Sequence, residues 1–456
     1  MVLQPSRSTF EGAVAPLLRA AGTRKGIGKP SLCLPGVRPA GRTPDSGAPR
    51  AVGLRHVRLN VADRPPWARP AQTLVNGVRG AGGTMSRGDA TALADLWAAA
   101  VTIADKARLC LLYTGGTIGM VRNKAGHLVP PKRPDDFLSV APELQDFATI
   151  DFEVLMNKDS TNIVPTDWTA IAKAIYDRRN QGYDGFIVTH GTDTMHFSAS
   201  AVSFALGAGL PFPVVFTGAQ TIPEVSHGDA RVNLLRAARV AACDIAEVVI
   251  SFGEYIFRGC RAQKKDERRF DAFESPAIFP LGYITEEILL SPLATPRPQD
   301  ANPSSIRLEP DFAPGVVQVS LIPGLEPSVL ESVVDDPRCR GLILQSFGAG
   351  NVPDVEGYAF TELIFRATKL NKPVIVTSQF PANATLHSAY ATSKSAMDAG
   401  AIATGNMTAS CAVAKFRWVL AKVDRQIPEG GHAHVEMVKE LMGSVFVGEM
   451  DVDQTR

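Results

Sequence analysis

The sequence lacks any window near the roughly 20 uninterrupted apolar residues that span a bilayer, so it predicts no transmembrane helix. Its six cysteines, Cys33, Cys110, Cys243, Cys260, Cys339 and Cys411, lie far apart and form no CxxC pair. That spacing argues against a disulfide or zinc framework and fits buried free thiols in a reducing compartment. No structural metal is expected. Acidic residues are scarce in one region. Residues 1–84 hold 13 of the 47 basic residues and 3 of the 46 acidic ones, which leaves 34 basic against 43 acidic residues in the remainder. The formal net charge of +1 therefore hides a basic extension on an acidic body.

That extension is rich in Arg, Pro, Gly and Ala, and stretches such as "GVRPAGRTPDSGAPR" have no sustained helical or strand period. Such a segment cannot bury enough apolar surface to order itself. Arg-rich, acid-poor N-termini resemble organellar transit segments, but this density of Pro and Gly opposes the amphipathic helix those segments form. The plainer readings are a disordered extension, or sequence upstream of a start at Met85. Interleaved aromatics and a recognisable binding module are both missing, so no nucleic-acid partner is expected.

With 456 residues, 45% of them apolar, the chain can bury two cores. From about Thr91 it alternates short β-branched runs with longer amphipathic ones, the pattern of α/β units around a mostly parallel sheet. Strands are predicted at Leu109–Tyr113, Phe186–Thr189, Val214–Thr217 and Val248–Phe252, and helices at Trp168–Asn180, Thr194–Leu206 and Asp229–Ala242. Runs such as "GFIVTH" suit strands covered on both faces. The segment 291–314 is dense in Pro, Ser and Asp and reads as a linker, with a short strand expected near "SIRL". The expected organisation is a larger α/β domain over 91–290, this linker, and a smaller α/β domain over 315–446 with a helix at Tyr358–Lys369.

In open α/β sheets, ligands collect beyond the carboxyl ends of strands. Two loops there share a chemistry. "YTGGTIG" and "THGTDTM" each place glycine where the backbone must turn or approach a ligand, and each supplies a threonine just after it. Taken singly, each has a plainer reading. Thr117 can cap a helix after a Gly115–Gly116 turn, and Thr192 or Asp193 can cap the helix near Thr194. A nucleotide loop is disfavoured, because neither GxxxxGK[ST] nor GxGxxG occurs there. As a pair, Thr117 and Thr192 could face one small substrate from two sides, beside the carboxylate of Asp193. A threonine hydroxyl is a weak nucleophile until a nearby group activates it, and the chemistry implied is acyl transfer to water.

The motifs "YTGGTIGM" and "VTHGTDTM" resemble the two signatures of the bacterial-type L-asparaginases, and the fuller pattern resembles the cytoplasmic type I branch. "DSTNIVPTDW", "FTGAQ", "GDARVNLLRA", "FRGCRAQKKDERRFDAFESP", "SFGAGN" and "AYATSKSAMDAG" continue the likeness in order, over roughly residues 107–420. The resemblance implies a cytoplasmic amidohydrolase that cleaves L-asparagine to L-aspartate and ammonia, without metal or other cofactor and without a membrane partner, as a homodimer or homotetramer. A glutaminase-asparaginase or another amide hydrolase of the same family is the neighbouring reading, and a catalytically inactive binding protein is the reading of a different class.

By motif position, the resemblance assigns Thr117 as nucleophile and Thr192, Asp193 and Lys264 as the second catalytic group. From charge pattern alone, Lys264 in "KKDERR" would read as solvated, and Lys265 lies one position away. Ser160 and Thr161 correspond to the loop that holds the substrate α-carboxylate, Asp193 to the acceptor of its ammonium, and Gly116, Gly191 and Asn351 to further substrate-binding positions. The family's lid tyrosine, which partners the nucleophile, falls on His127, either a base or an exposed lid residue. The positions of a second, regulatory asparagine site read Gln263 and Phe380, so no regulatory site of that kind is expected. Deleting residues 1–84 should leave solubility, stability and turnover nearly unchanged; an insoluble or inactive protein expressed from Met85 would place the segment in the fold.

Overall fold

The computed structural model describes residues 106–129, 139–300, 302–380 and 391–451; the extension at 1–84 lies outside these. The larger sheet has eight strands: β1 (Ala107–Gly115), β2 (Ala148–Lys158), β3 (Gly185–Thr189), β4 (Val214–Thr217), β5 (Val248–Phe252), β6 (Tyr255–Arg258), β7 (Gly282–Ile284) and β8 (Ile288–Leu290). Their order is β8-β7-β6-β5-β4-β3-β1-β2. The first five strands pair in parallel, and β6, β7 and β8 add antiparallel. The chain passes from β1 outward to β2 and then returns across β1 to β3. That reversal makes the carboxyl ends of β1, β2 and β3 a switch point, the place where open α/β sheets collect ligands.

Alternation along the strands divides the interior in two. Leu112, Phe186, Val188, Val214 and Phe216 pack under α1 (Pro165–Arg178) and α2 (Met195–Leu206). Leu109, Leu111, Tyr113, Ile187, Val215 and Val249 pack under α3 (Ala230–Ala241). Helix α1 begins three residues earlier than the apolar period suggests. Pro165 supplies the first-turn φ, and the Asp167 carboxylate accepts the Val164 N–H at 2.8 Å.

The smaller sheet is wholly parallel, in the order β9 (Val316–Ser320), β10 (Gly341–Ser346), β11 (Val374–Ser378), β12 (Ala401–Ala403). Leu342, Leu344, Val374 and Val376 pack on α4 (Phe360–Lys369); α5 (Ala391–Asp398) leads into β12. Val316, Ile343, Ile375 and Ile402 share a core with α6 (Ala409–Gln426) and α7 (His432–Gly443).

Helix α2, "MHFSASAVSFAL", is the wall shared by the two sheets. One side packs on the larger sheet, while Ala201 and Phe204 join the core of the smaller domain, with Phe204 stacked on Trp418 at 5.6 Å between ring centroids. Its buried serines cost little, because Ser200 and Ser203 donate to the His196 and Ala199 carbonyls at 2.7 and 2.8 Å.

The segment expected as a linker forms no strand at "SIRL". Ser304 and Ser305 lie in a 3₁₀ turn, Pro303–Ser305, capped by the Asn302 side chain. Beyond the turn, Ile306 and Ala313 are buried, and Glu309 N–H and Ala313 N–H donate to the Ala205 and Arg417 carbonyls at 2.8 and 2.9 Å. The segment is held across helices rather than added to a sheet.

One charged pair lies inside this joined core. Lys415 and Glu449 side chains are both 0% exposed and meet at 2.7 Å. Lys415 also donates to the Met442 and Ser444 carbonyls, and Glu449 accepts from Phe446 N–H and Val447 N–H. A buried pair so fully bonded is costly to break from one side. Lys415→Met should destabilise the protein by about 3–5 kcal/mol, read as a lowered urea midpoint; an unchanged midpoint would show that Glu449 finds other compensation.

Candidate active site

Register places the loops. Tyr113 pairs with Thr189, and Thr189 with Thr217, so β3 and β4 end level with Tyr113, two residues before β1 itself ends. On the other side of β1 a bulge after Tyr113 brings Gly115 opposite Lys158 at the end of β2. Four loops, carrying Thr117, Ser160, Thr192 and Gln220, therefore leave the sheet along one edge.

Glycines let these loops touch backbone to backbone. Gly116, at φ 88°, sits where a Cβ would lie 2.7 Å from Gly191 N and 2.8 Å from His190 O. A Cβ on Gly191 would meet the Ser160 side chain at 2.7 Å. The Thr117 loop thus seats on the backbone of the Thr192 loop, and that loop in turn seats on the Ser160 side chain. Gly191 and Gly116 are consequently packing positions as well as candidate substrate-binding ones.

The plainer capping readings do not describe the threonines. Thr117 opens a 3₁₀ turn, Thr117–Gly119, without a side-chain capping bond, and among the described residues its hydroxyl has no hydrogen-bond partner. Helix α2 starts at Met195, and neither Thr192 nor Asp193 caps it. Thr192, 8% exposed, donates its hydroxyl to Gln220 Oε1 at 3.2 Å and accepts from Lys264 Nζ at 2.8 Å. Lys264 Nζ also bonds Asp193 Oδ1 at 2.6 Å, with the lysine side chain 12% and the aspartate 57% exposed. Lys264 is thus withdrawn from solvent, whereas Lys265 pairs with Asp271 at 3.0 Å. A donor aimed at a hydroxyl oxygen whose own proton points elsewhere favours build-up of negative charge on that oxygen.

Ser160 is buried and heads a 3₁₀ turn, Ser160–Asn162. Asp159 accepts from both Thr161 N–H and Thr161 Oγ1, at 2.9 and 2.8 Å, and these bonds hold its carboxyl below the usual range. Thr194 Oγ1 donates to the Ser160 carbonyl at 2.7 Å, tying this turn to the Thr192 loop.

His190 sits behind that loop. Its Nδ1 lies 2.7 Å from the Gly191 carbonyl, which can only accept, so Nδ1 carries the proton and Nε2 accepts from Ser198 Oγ at 2.9 Å. Burial pushes His190 down to about 4, and burial and then the Lys264 charge push His196 down to about 4. Both rings are neutral near pH 7 and serve packing. Among the described residues, no group of three or more His, Cys, Asp or Glu could hold a metal. Cys110, Cys243, Cys260, Cys339 and Cys411 are all free.

Two expected site residues share no hydrogen bond with this cluster among the described residues. His127 is exposed in the turn of a hairpin, Val121–Arg122 with Leu128–Val129, and its backbone rather than its ring bonds Asn123. Asn351 belongs to the smaller domain, where its Oδ1 accepts from Thr392 and Ser393 at 2.9 and 3.2 Å. Two other residues carry more of the geometry than the motifs suggest. Gln220 accepts the Thr192 proton, and the buried Asp229 carboxylate takes the Gln220 N–H, Thr221 N–H and Thr221 hydroxyl. Asp229 reads from sequence as a helix start; its carboxylate instead reaches back to fix the preceding loop.

Two family models match this fold, "Asparaginase, N-terminal" over residues 108–292 and "Glutaminase/Asparaginase C-terminal domain" over 315–427. The chain belongs to the asparaginase family. It is 32% identical over 357 residues to L-asparaginase 1 of Escherichia coli, covering 76% of this chain and 99% of that one. It is 33% identical over 358 residues to a glutamyl-tRNA(Gln) amidotransferase subunit of Methanosphaera stadtmanae, covering 76% and 78%. The solved thermostable L-asparaginase of Thermococcus kodakarensis superposes with a TM-score of 0.68 at 30% identity, covering 76% of this chain and all of that one. The two asparaginase models divide the chain where the structure changes sheet, between β8 and β9.

The neutral histidines give this asparaginase fold a defined acid response. The unfolded chain takes up protons below about 6.5 that the buried rings refuse until about 4, so their contribution is complete above 6.5 and is lost as pH falls across that window. His190→Asn should flatten the loss of thermal midpoint between about pH 7 and about pH 4; midpoints that fall in parallel with wild type would remove His190 as the source.

Proposed function

We propose that the protein is an L-asparaginase that hydrolyses L-asparagine to L-aspartate and ammonia through Thr117. The observation that carries this reading is Lys264 Nζ held between Thr192 Oγ1 and Asp193, on a loop packed directly against the one bearing Thr117. In the proposed reaction, Ser160 and Thr161 hold the α-carboxylate and Asp193 the α-ammonium, so opposite charges orient the side-chain amide. Thr117 Oγ attacks the amide carbon, and backbone N–H groups at Gly191 and Thr192 carry the developing oxyanion. The C–N bond breaks as the nitrogen takes up the proton lost by the Thr117 hydroxyl and leaves as ammonia, and water then cleaves the acyl ester to release aspartate and restore the hydroxyl. Lys264 and Asp193 bias the polar field at Thr192 without metal.

Matching 99% of the length of L-asparaginase 1, against 78% of the amidotransferase relative, supports free asparagine as substrate. The comparable identity to the amidotransferase relative favours one second reading, an amide donor role within such an assembly. Ammonia release from purified protein with asparagine and with glutamine separates them. Release with asparagine well above a Thr192→Ala control is expected, and no turnover above that control would sink the enzyme reading. Thr117→Ala should lower kcat at least about a thousandfold while aspartate still binds; a retained rate would remove Thr117 as nucleophile.

A further inference from the structure

We infer that Arg261 is a positioning residue for Lys264, and that the C-terminal segment 446–451 is the anchor through which it acts. The inference rests on the reading of Lys264 as part of the catalytic group. Lys264 stands three residues beyond Arg261, after the 3₁₀ turn Gly259–Arg261 and within the two-residue strand Gln263–Lys264. Arg261 is 2% exposed, and among the described residues the acceptors of its guanidinium lie in the C-terminal part of the chain. Nε donates to the Gly448 carbonyl at 2.8 Å, Nη1 to Asn406 Oδ1 at 2.9 Å and Nη2 to Asp451 Oδ1 at 2.8 Å. A planar fork with three fixed acceptors sets both the place and the rotation of the residue that carries it.

The anchor is itself fixed from several directions. Glu449 holds the buried Lys415, and the Phe446 ring meets Trp418 edge-on at 4.9 Å. Gly448, at φ 74°, lets the chain pass where a Cβ would lie 3.0 Å from Arg258 Nη1. Cys260 Sγ donates to the Val447 carbonyl at 3.6 Å, and Asn406 Nδ2 donates to Asp451 Oδ2 at 2.7 Å. The segment therefore bridges α6, in the core of the smaller domain, to the turn that presents Lys264. On the opposite side, Lys264 is restrained by pairing with Phe273 in a two-residue ladder and by the Gln263 to Glu274 bond. So short a ladder cannot resist rotation alone. A slip of about 1 Å at Nζ takes the 2.8 Å contact to Thr192 beyond hydrogen-bond range.

The test uses the full-length chain with Arg261→Lys and, on an exposed residue that threatens the fold less, Asp451→Ala. Kinetics on asparagine are paired with labelling of lysines by trinitrobenzenesulfonate, mapped peptide by peptide. Arg261→Lys should lower kcat about a hundredfold and Asp451→Ala about tenfold, with KM within about threefold of wild type. Lys264 should label about fivefold faster in both, with exposed Lys369 unchanged. Folded variants whose Lys264 labels at the wild-type rate, or whose KM rises at constant kcat, would overturn the inference. Wild-type protein without turnover would remove the functional reading instead, and labelling would still decide whether Arg261 and Asp451 hold Lys264 in place.

Discussion

The candidate site depends on backbone meeting backbone at the ends of parallel strands. Tyr113, Thr189 and Thr217 stand in register, and Gly116 and Gly191 remove the side chains that would hold their loops apart. Gly218 extends the same constraint to the fourth loop, since a Cβ there would lie 2.4 Å from His190 O and 3.3 Å from Thr192 Cγ2. Hydrogen bonds alone would set these loops at side-chain distance. The glycines set them at van der Waals distance, and the hydroxyls follow as the next residues along.

Strand centres are legible in the sequence because each is a short apolar run buried on both faces, as at Gly185–Thr189 and Val248–Phe252. The outer strand Ala148–Lys158 is not, because an edge strand with half-exposed Asp151, Glu153 and Lys158 carries no clear period. The three antiparallel strands are too short for a pattern to form. At the site, the glycine-threonine loops stand out because local motif and strand end coincide. Gln220 and Asp229 do not, because their roles depend on which loop the sheet brings beside which; a glutamine after "TGA" and an aspartate before a helix look ordinary on their own. The assignment of His127 and Asn351 comes from motif position alone, and their hydrogen bonds in the described chain go to Asn123 and to Thr392 and Ser393.

Charge is handled differently in the two lysine pairs, and the contrast is informative. Lys415 and Glu449 are both sealed and saturated with backbone partners, so nothing remains for a ligand and the pair serves the fold. Lys264 is nearly as withdrawn, yet its acceptors are a hydroxyl and a carboxylate that stays 57% exposed. An arrangement with one partner open to solvent keeps a charge available to an incoming group while fixing the lysine's direction. The same lysine type thus serves the fold when both ends are closed, and under the proposed reaction serves the site when one is open.

The two threonines are also unequal, and the inequality fits a division of roles under the proposed reaction. Thr192 already has a donor and an acceptor, Lys264 and Gln220, so its hydroxyl is oriented before any substrate arrives. Thr117 has neither among the described residues, on a turn that begins where Gly116 takes a positive φ. An uncommitted hydroxyl leaves its lone pairs open to an amide carbon while its proton still needs an acceptor, whereas the Thr192 hydroxyl already donates to Gln220 and accepts from Lys264. Under the proposed reaction Thr192, with Lys264, is the fixed electrostatic partner, and Thr117 is the hydroxyl left open to the substrate.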